Sequence, residues 1–324
     1  MSRPKFKSVF ASEIHKYLDH QVLSGKTEIS YYSQLRFFDK FCVNENINTK
    51  VFTKDHANKL KNYKKLYATT TFYHLINGCK NFLLFLSKKG YDVCFVKDIK
   101  FIQTQFKPHI YTDNEIKRYF TAVDKYTSSI NRNSCIQYPI LFRILYCCGT
   151  RINETLGIRK CDIDLETGVI KINEGKNNQE RFIVLGDDLT SLMKQYANKC
   201  FHLLSENDFI FYDKNHKRLT GRSVYNSHRQ FLREAGIPFF GESQGPRIHD
   251  WRHTMAVKSF KKLTDSGRDM YVALPIISTY LGHKTIYATE RYVKLTMSMY
   301  PDINKRFDVQ VKKIFRNNNK YEDN

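Results

Sequence analysis

The sequence has no long apolar run, no paired cysteine motif and few acidic residues for its size. Its apolar stretches, such as residues 81–87, are far shorter than the ~20 residues that a membrane-spanning helix needs. The first residues lack the apolar core of a secretory signal. The eight cysteines form no C-x-x-C pair, which disfavours zinc and a disulfide framework and indicates reduced packing residues. We therefore expect a soluble cytoplasmic protein.

Length and composition predict a folded protein rather than a disordered one. The 324 residues are about twice the usual length of a single domain, so two domains are expected. Hydrophobic residues make up 41% of the chain and aromatic residues 14%, which is enough for a substantial core. Neither an internal repeat nor a low-complexity block is present.

The shortage of acidic residues gives the chain a large positive charge. Lys and Arg total 53 against 32 Asp and Glu, a net charge of +21. Residues 1–100 hold 18 basic and 8 acidic residues, and the remainder holds 35 and 24, so both halves are basic. A broad basic surface usually binds a polyanion, most often nucleic acid. Charge alone also fits a ribosomal or merely lysine-rich protein.

Residues 8–90 predict a helical module, because their apolar residues recur at helical spacing in four segments. Ser8 and Thr53 are predicted N-caps of the first and third helices, and the fourth is expected from Thr69 to Leu86. The predicted apolar faces contain Ile14, Tyr17, Leu18 and Val22 in the first helix, Tyr31, Leu35, Phe38 and Phe41 in the second, and Phe72, Leu75, Phe82 and Phe85 in the fourth. We interpret these aromatics as core and the lysines between them as surface.

A linker and a second, mainly helical region follow. Residues 90–109 have the composition of a linker, and a capping box from Thr112 to Glu115 then predicts a new helix. Two β-branched runs, 168–172 and 181–185, predict a hairpin whose polar loop carries Lys176. The last eight residues are expected to be frayed.

Two patterns in the second region concern isolated cations. Arg151 stands at a predicted helix start, and Glu154 lies three residues later, where its carboxylate could hold the guanidinium. Taken alone, this pair fits a surface salt bridge better than a catalytic arginine. Lys176, taken alone, fits a solvated loop lysine better than a catalytic one.

A third pattern is the sequence from His249 to His253. His249 and Arg252 are three residues apart on a predicted helix and could converge on one anion. His249 and His253 also imitate the spacing of the H-E-x-x-H zinc motif. Asp250 is shorter than the glutamate of that motif, and the positive charge of Arg252 opposes a divalent cation, so zinc is disfavoured.

The fourth pattern is Leu281-Gly-His283, followed nine residues later by Tyr292. Tyr287 also follows His283, and a helical pair five residues apart cannot occupy the same place. In this order, the four patterns together resemble the tyrosine recombinase (phage integrase) family. The resemblance spans roughly residues 8–315, with the catalytic half at 107–300.

The resemblance implies a set of site residues. They are Arg151 as the first catalytic arginine, Glu154 as its acidic companion, Lys176 as the hairpin lysine, His249 and Arg252 as the H-x-x-R pair, His283 at a position that family members fill with His or Trp, and Tyr292 as the nucleophile. The family register favours Tyr292 over Tyr287, which is then a packing residue. Trp251 stands where the family often has Leu, a core-facing difference that should not affect the chemistry. His253, Arg247 and Arg291 are expected to be structural or to contact phosphate.

The residue types agree with the chemistry of the family. Arg151 and Arg252 can grip the non-bridging oxygens of a phosphodiester, where negative charge accumulates, and His283 would add a donor. A tyrosine hydroxyl ordinarily has a pKa of ~10, so Tyr292 needs a proton acceptor, for which His249 is the candidate.

Lys176 could give a proton to the departing 5′-hydroxyl. The sequence contains no metal-ligand cluster and no phosphate-binding G-x-x-x-x-G-K-[ST] loop. A covalent phosphotyrosine conserves the bond energy, so neither ATP nor a metal cofactor is expected.

The resemblance also implies a mainly α fold and an assembly. Residues 1–105 would form a helical core-binding domain, and residues 106–324 an α-rich catalytic domain with a small β-sheet, as a C-shaped clamp around duplex DNA. Family members act as homotetramers on two DNA sites and exchange strands through a Holliday junction, in some cases with an accessory directionality factor. Residues 300–315 resemble the C-terminal helix that such enzymes donate to a neighbouring protomer.

The helical module begins almost at Met1, so we expect no additional arm-binding domain, which favours an Xer-like or compact mobile-element integrase. Two alternatives remain open at this point. A type IB topoisomerase or telomere resolvase would share the nucleophile without exchanging strands between sites. A DNA-binding protein could keep the fold without activity, although the full residue set argues against it.

Overall fold

The structure is a computed structural model of the chain. It describes residues 3–63, 69–99, 107–128, 133–173, 180–241 and 245–282, together with residues 292, 295, 296 and 300. The chain divides into two compact units, Met1–Phe106 and Lys107–Asn324. No helix of these described residues is long and apolar enough to span a bilayer.

The N-terminal unit is helical. Its described helices are α1 (Ala11–Leu23), α2 (Ile29–Asn44), α3 (Lys54–Asn62) and α4 (Thr69–Lys88). Phe38 of α2 is fully buried and meets Phe10 and Phe82 with ring centroids 5.6 Å and 5.2 Å apart. Most of the aromatic residues predicted as core therefore form the core of this unit, whereas Tyr31 and Phe85 are only partly buried against it and Val22 of the predicted apolar face is exposed.

The starts of the helices test the predicted caps. Thr53 caps α3 as predicted, because its hydroxyl accepts a hydrogen bond from the His56 backbone N–H. Ser8 does not cap α1, which begins at Ala11 without a side-chain cap. The Asp39 carboxylate instead accepts hydrogen bonds from the backbone N–H groups of Lys7 and Ser8, which holds this segment outside the helix.

The predicted linker is partly integrated into the N-terminal unit. The Phe52 backbone N–H donates to the Asp92 carbonyl at 2.9 Å, and the Cys94 N–H donates to the Phe52 carbonyl at 2.6 Å. Val96 is buried in the same core. The prediction of a linker from Gly90 was therefore wrong for residues 90–96. Their polar composition did not indicate that this segment is hydrogen-bonded to Phe52 and packs on the core of the unit.

The second unit is also mainly helical. Its described helices are α5 (Asp113–Asp124), α6 (Ser134–Cys147), α7 (Ile152–Leu156), α8 (Asp187–Cys200), α9 (Gly221–Glu234), α10 (Asp250–Asp265) and α11 (Met270–Leu281). Thr112 caps α5 in a capping box with Glu115, as predicted. Trp251 lies at the start of α10, fully buried, with its ring stacked on Tyr111 at 3.8 Å between centroids. The core-facing role predicted for Trp251 is confirmed.

A small antiparallel sheet interrupts these helices. Its strands are β1 (Ile163–Asp164), β2 (Val169–Ile172) and β3 (Arg181–Val184), in the order β1-β2-β3. The predicted hairpin is confirmed as β2 and β3, whose pairing ends with Ile172 opposite Arg181. The mainly α fold with a small sheet is therefore as predicted, whereas the two-residue strand β1 was not predicted.

Candidate active site

The first candidate residue, Arg151, follows a sharp turn between α6 and α7. Gly149 in this turn has a φ of +58°, and a Cβ atom there would come within 2.3 Å of Met255 Cε. Glycine alone adopts this conformation without steric strain. The turn makes Arg151 the residue immediately before α7, with its side chain 25% exposed.

Glu154 holds Arg151 in two ways. Arg151 Nη1 donates to Glu154 Oε1 at 2.6 Å, and the Arg151 backbone N–H donates to Glu154 Oε2 at 2.9 Å. Glu154 itself is buried, with 4% of its surface exposed. The structure thus brings together the arginine and the acidic companion that the sequence pattern predicted.

A second arginine, which the sequence analysis did not select, shares the same carboxylate. Arg181 Nη2 donates to Glu154 Oε2 at 2.7 Å, and its side chain is 12% exposed. Burial alone would raise the pKa of Glu154, but the hydrogen bonds from Arg181 and Arg151 and the charge of Arg181 outweigh it and lower this pKa to about 2. Glu154 is therefore ionised and belongs to a buried ion-pair network.

Arg252 lies in the first turn of α10 and is almost completely buried, with 1% of its surface exposed. Its guanidinium donates to two backbone carbonyls, that of Gly149 from Nη1 and that of Leu281 from Nη2, both at 2.6 Å. Burial and the neighbouring charge of Arg151 lower the pKa of Arg252 to about 10, so it stays protonated at neutral pH.

Tyr292 is also buried, with 2% of its surface exposed. Its hydroxyl is 3.1 Å from His253 Nδ1. Tyr292 packs in the same buried cluster as Leu281, whose carbonyl accepts a hydrogen bond from Arg252. The predicted nucleophile and the second predicted arginine are thus brought together.

The two histidines of α10 differ in their surroundings. His253 is buried, whereas His249, the residue that precedes α10, is exposed, and their rings meet edge to face at 4.8 Å. The sequence analysis kept His253 out of catalysis, yet this residue makes the hydrogen bond to the Tyr292 hydroxyl. Its position one helical turn after His249 was the available signal, because residues at i and i+4 share a helix face.

Asp250, weighed in the sequence as a member of a zinc motif, is buried and accepts hydrogen bonds from the backbone N–H groups of Arg247 and His109 at 2.9 Å and 3.3 Å. Its carboxylate therefore ties the start of α10 to the segment before α5. Within the described part of the chain, no three His, Cys, Asp or Glu side chains are grouped to hold a metal ion.

Three residues of the predicted pattern lie outside the described residues: Lys176, His283 and the competing Tyr287. The chain on either side of them is described. Ile172 and Arg181 close the pairing of the strands that flank the Lys176 loop. Gly282, the residue before His283, has a φ of +65° and packs closely against the Arg181 side chain.

Comparison with known proteins agrees with this arrangement. Residues 110–299 match the model of the phage integrase family, which is more than half of the chain. The chain belongs to the phage integrase family. The resemblance predicted from the sequence motifs is thereby confirmed, and with it the assignment of this integrase-family chain to the tyrosine recombinases.

Individual relatives extend the similarity beyond residues 110–299. Tyrosine recombinase XerC of Staphylococcus haemolyticus is 26% identical over 279 residues, which cover 84% of this chain and 87% of that protein. Tyrosine recombinase XerD of Listeria innocua is 26% identical over 209 residues, or 63% of this chain and 64% of that protein. Among solved structures, the XerH site-specific recombinase bound to its palindromic difH substrate matches with a TM-score of 0.65 at 18% identity, covering 87% of this chain and 80% of that one. This last similarity concerns the fold.

Proposed function

We propose that this protein is a site-specific recombinase that cleaves and rejoins double-stranded DNA through a 3′-phosphotyrosyl intermediate. The observation that carries the proposal is the joint placement of Arg151, Arg252 and Tyr292 in one unit, with both guanidiniums held by fixed partners. Their residue types match what phosphodiester displacement needs, namely a nucleophile and cations for the phosphate oxygens.

In the proposed reaction, the Tyr292 hydroxyl oxygen attacks the phosphorus and the bond to the 5′-oxygen breaks. Arg151 and Arg252 stabilise the charge that develops on the non-bridging oxygens. The 5′-oxygen leaves as a hydroxyl, with its proton supplied by Lys176, and His283 adds a further donor. Religation reverses these steps with the 5′-hydroxyl of another strand, which needs no external energy source.

The proton of Tyr292 must be accepted as the oxygen attacks. We keep His249 as the proposed base and assign to His253 the hydrogen bond that holds the Tyr292 hydroxyl. This division is supported by the contrast between the buried His253 and the exposed His249, since the exposed ring can exchange its proton with water.

The two units are proposed to have different tasks. Residues 1–105 would bind the core DNA site, and residues 106–324 would carry the chemistry and bind the flanking duplex. The net charge of +21, divided almost evenly along the chain, supports contact of both units with phosphates. Because its substrate is DNA, the proposed location is the cytoplasm.

The active assembly is proposed to be a homotetramer on two DNA sites, with an accessory directionality factor where one direction of exchange is favoured. Residues 300–315, of which 301–315 lie outside the described residues, would pack on a neighbouring protomer, apart from Tyr300, which packs against the core of its own chain. A groove of about 510 Å³ between α10 and α11 supports this proposal, because apolar residues such as Met255, Leu263 and Ile276 line it together with the basic residues Lys262 and Arg268. An amphipathic segment is the kind of occupant that such a groove accepts.

Trapping the covalent intermediate tests the proposal. On a nicked suicide substrate, the protein should form an adduct that survives denaturation, and Tyr292→Phe should bind the same DNA without forming it. Tyr287→Phe is the matched control and should keep the adduct. An adduct from Tyr292→Phe together with none from Tyr287→Phe would contradict the assignment, and a two-site exchange assay separates recombination from topoisomerase activity.

A further inference from the structure

The Glu154 carboxylate is shared between two guanidiniums, of which the family pattern accounts for one. Oxygen Oε1 accepts from Arg151 Nη1 at 2.6 Å. Oxygen Oε2 accepts from the Arg151 backbone N–H at 2.9 Å and from Arg181 Nη2 at 2.7 Å. With Oε2 held by two donors, the direction of Oε1 is fixed, and with it the position of the Arg151 guanidinium.

Arg181 is itself rigidly placed. It is the first residue of β3, where it pairs with Ile172 in the sheet. Its aliphatic carbons pack against the backbone of Gly282, because a Cβ atom at that glycine would lie 3.2 Å from Arg181 Cδ. The guanidinium that reaches Glu154 therefore comes from a paired strand, and its side chain also packs against Gly282.

The arrangement carries an electrostatic cost. Three guanidiniums, those of Arg151, Arg181 and Arg252, lie close enough to influence one another, and Glu154 is the carboxylate among them. Each of the first two arginines lowers the pKa of Arg252, which means that it repels the third cation. This repulsion offsets part of the stabilisation that the ion pair between Arg181 and Glu154 provides.

From this geometry we propose that Arg181 is a positioning residue for the reaction: it pins Glu154, which in turn holds the Arg151 guanidinium in place for the scissile phosphate. The inference rests on the proposed function, because it concerns how one of the proposed phosphate-binding groups is held. Arg181 acts through Glu154 and needs no contact with the DNA.

The effect should appear in the rate of cleavage rather than in DNA affinity. Misplacing a catalytic group by about an ångström costs ~10²-fold in rate, so Arg181→Met should cleave the suicide substrate about that much more slowly. The dissociation constant for DNA should change little, because many phosphate contacts elsewhere are retained. Arg181→Lys keeps one donor towards Glu154 and should recover part of the rate.

A double-mutant cycle with Glu154→Gln distinguishes this role from direct phosphate contact. If Arg181 acts through Glu154, adding Arg181→Met to Glu154→Gln should slow cleavage by no more than ~3-fold beyond the slower single variant. Losses that multiply would overturn the inference, as would an Arg181→Met protein that cleaves at the wild-type rate. Where Arg181→Met does not fold, the same cycle is measured with Arg181→Lys.

Two controls keep the result interpretable. Arg143→Met removes an arginine that is paired with Asp124 on the exposed surface, and it should cleave at the wild-type rate. The wild-type protein tests the proposed function separately, because failure of the wild type to form an adduct counts against the recombinase assignment. An active wild type with an unaffected Arg181→Met counts against the positioning role alone.

Discussion

Glutamine at position 154 would keep the size of the side chain but remove the charge that holds two arginines. Glu154 is buried, and its oxygens accept from Arg181 and from the side chain and backbone of Arg151. Glutamine offers one acceptor oxygen and turns an N–H₂ group towards a guanidinium. The substitution therefore leaves buried positive charge without its counter-ion, which is among the more destabilising changes in a protein interior.

The magnitude follows from the pKa of Glu154. The folded structure lowers it from 4.5 to about 2, and each tenfold change in proton affinity corresponds to ~1.4 kcal/mol. The ionised carboxylate thus contributes about 3 kcal/mol to the free energy of unfolding at neutral pH. Because the folded-state pKa is the lower one, this contribution is complete above pH 4.5 and is lost as the pH falls towards 2.

The chain provides its own probe for the measurement. Its one tryptophan, Trp251, is fully buried in the core of the second unit, so its fluorescence follows the unfolding of that unit in urea. The free energy of unfolding of the wild type should exceed that of Glu154→Gln by about 3 kcal/mol at pH 7. This difference should be smaller by ~2 kcal/mol at pH 3. Other titrating groups are present in both proteins and largely cancel in this difference.

Asp124→Asn is the matched control, because it removes a carboxylate from an exposed ion pair with Arg143 and should cost less than ~1 kcal/mol. A difference between wild type and Glu154→Gln that is equal at pH 7 and pH 3 would refute the reasoning, since the stabilisation would then not depend on ionisation. A difference as small as that of the control would refute it as well.

Three further predictions concern the reaction with DNA. Binding should weaken by ~10³-fold or more between ~50 and ~200 mM salt, measured by fluorescence anisotropy, and a nearly flat dependence would contradict broad phosphate contact by both units. Lys176→Ala should slow cleavage ~10²–10⁴-fold, yet cleave a 5′-bridging phosphorothiolate almost as fast as wild type, because sulfur leaves without a proton. Arg151→Ala should stay slow on that substrate, and a Lys176→Ala protein that sulfur does not rescue would lose the general-acid role. His249→Ala should slow cleavage at least ~10²-fold and His253→Gln much less, and the reverse order would move the base to His253.

Much of the fold was accessible from the sequence because local signals and tertiary structure agree. The N-cap at Thr53, the capping box at Thr112 and the hairpin of β2 and β3 follow from short patterns that tertiary contacts do not override. Ser8 shows the opposite case. Its expected role as a helix cap depended on adjacent residues alone, whereas the segment is fixed by Asp39, which lies on another helix and 31 residues away.

Contacts in the site could be predicted from the sequence where the two residues are close in the chain. They could not be predicted where folding brings distant residues together. Arg151 and Glu154 are three residues apart, and their contact could be predicted from helical geometry. Arg181 reaches the same carboxylate from 27 residues away, and no local spacing predicts that meeting. The contact of His253 with Tyr292 joins residues 39 apart and is set by how α10 packs, so the helix face alone could not assign it.

The way each arginine is held explains how the site can be positively charged before it binds anything. Arg151 and Arg181 share Glu154, and Arg252 donates to the carbonyls of Gly149 and Leu281, which supply partial negative charge but no full counter-ion. The described guanidiniums therefore exceed the carboxylate by two charges, at fixed positions. Donors that are already oriented stabilise a developing oxyanion without reorganising at the moment of reaction. A phosphodiester entering this site would provide the missing negative charge. Because negative charge on its non-bridging oxygens increases during displacement, its attraction to the guanidiniums is strongest in the transition state.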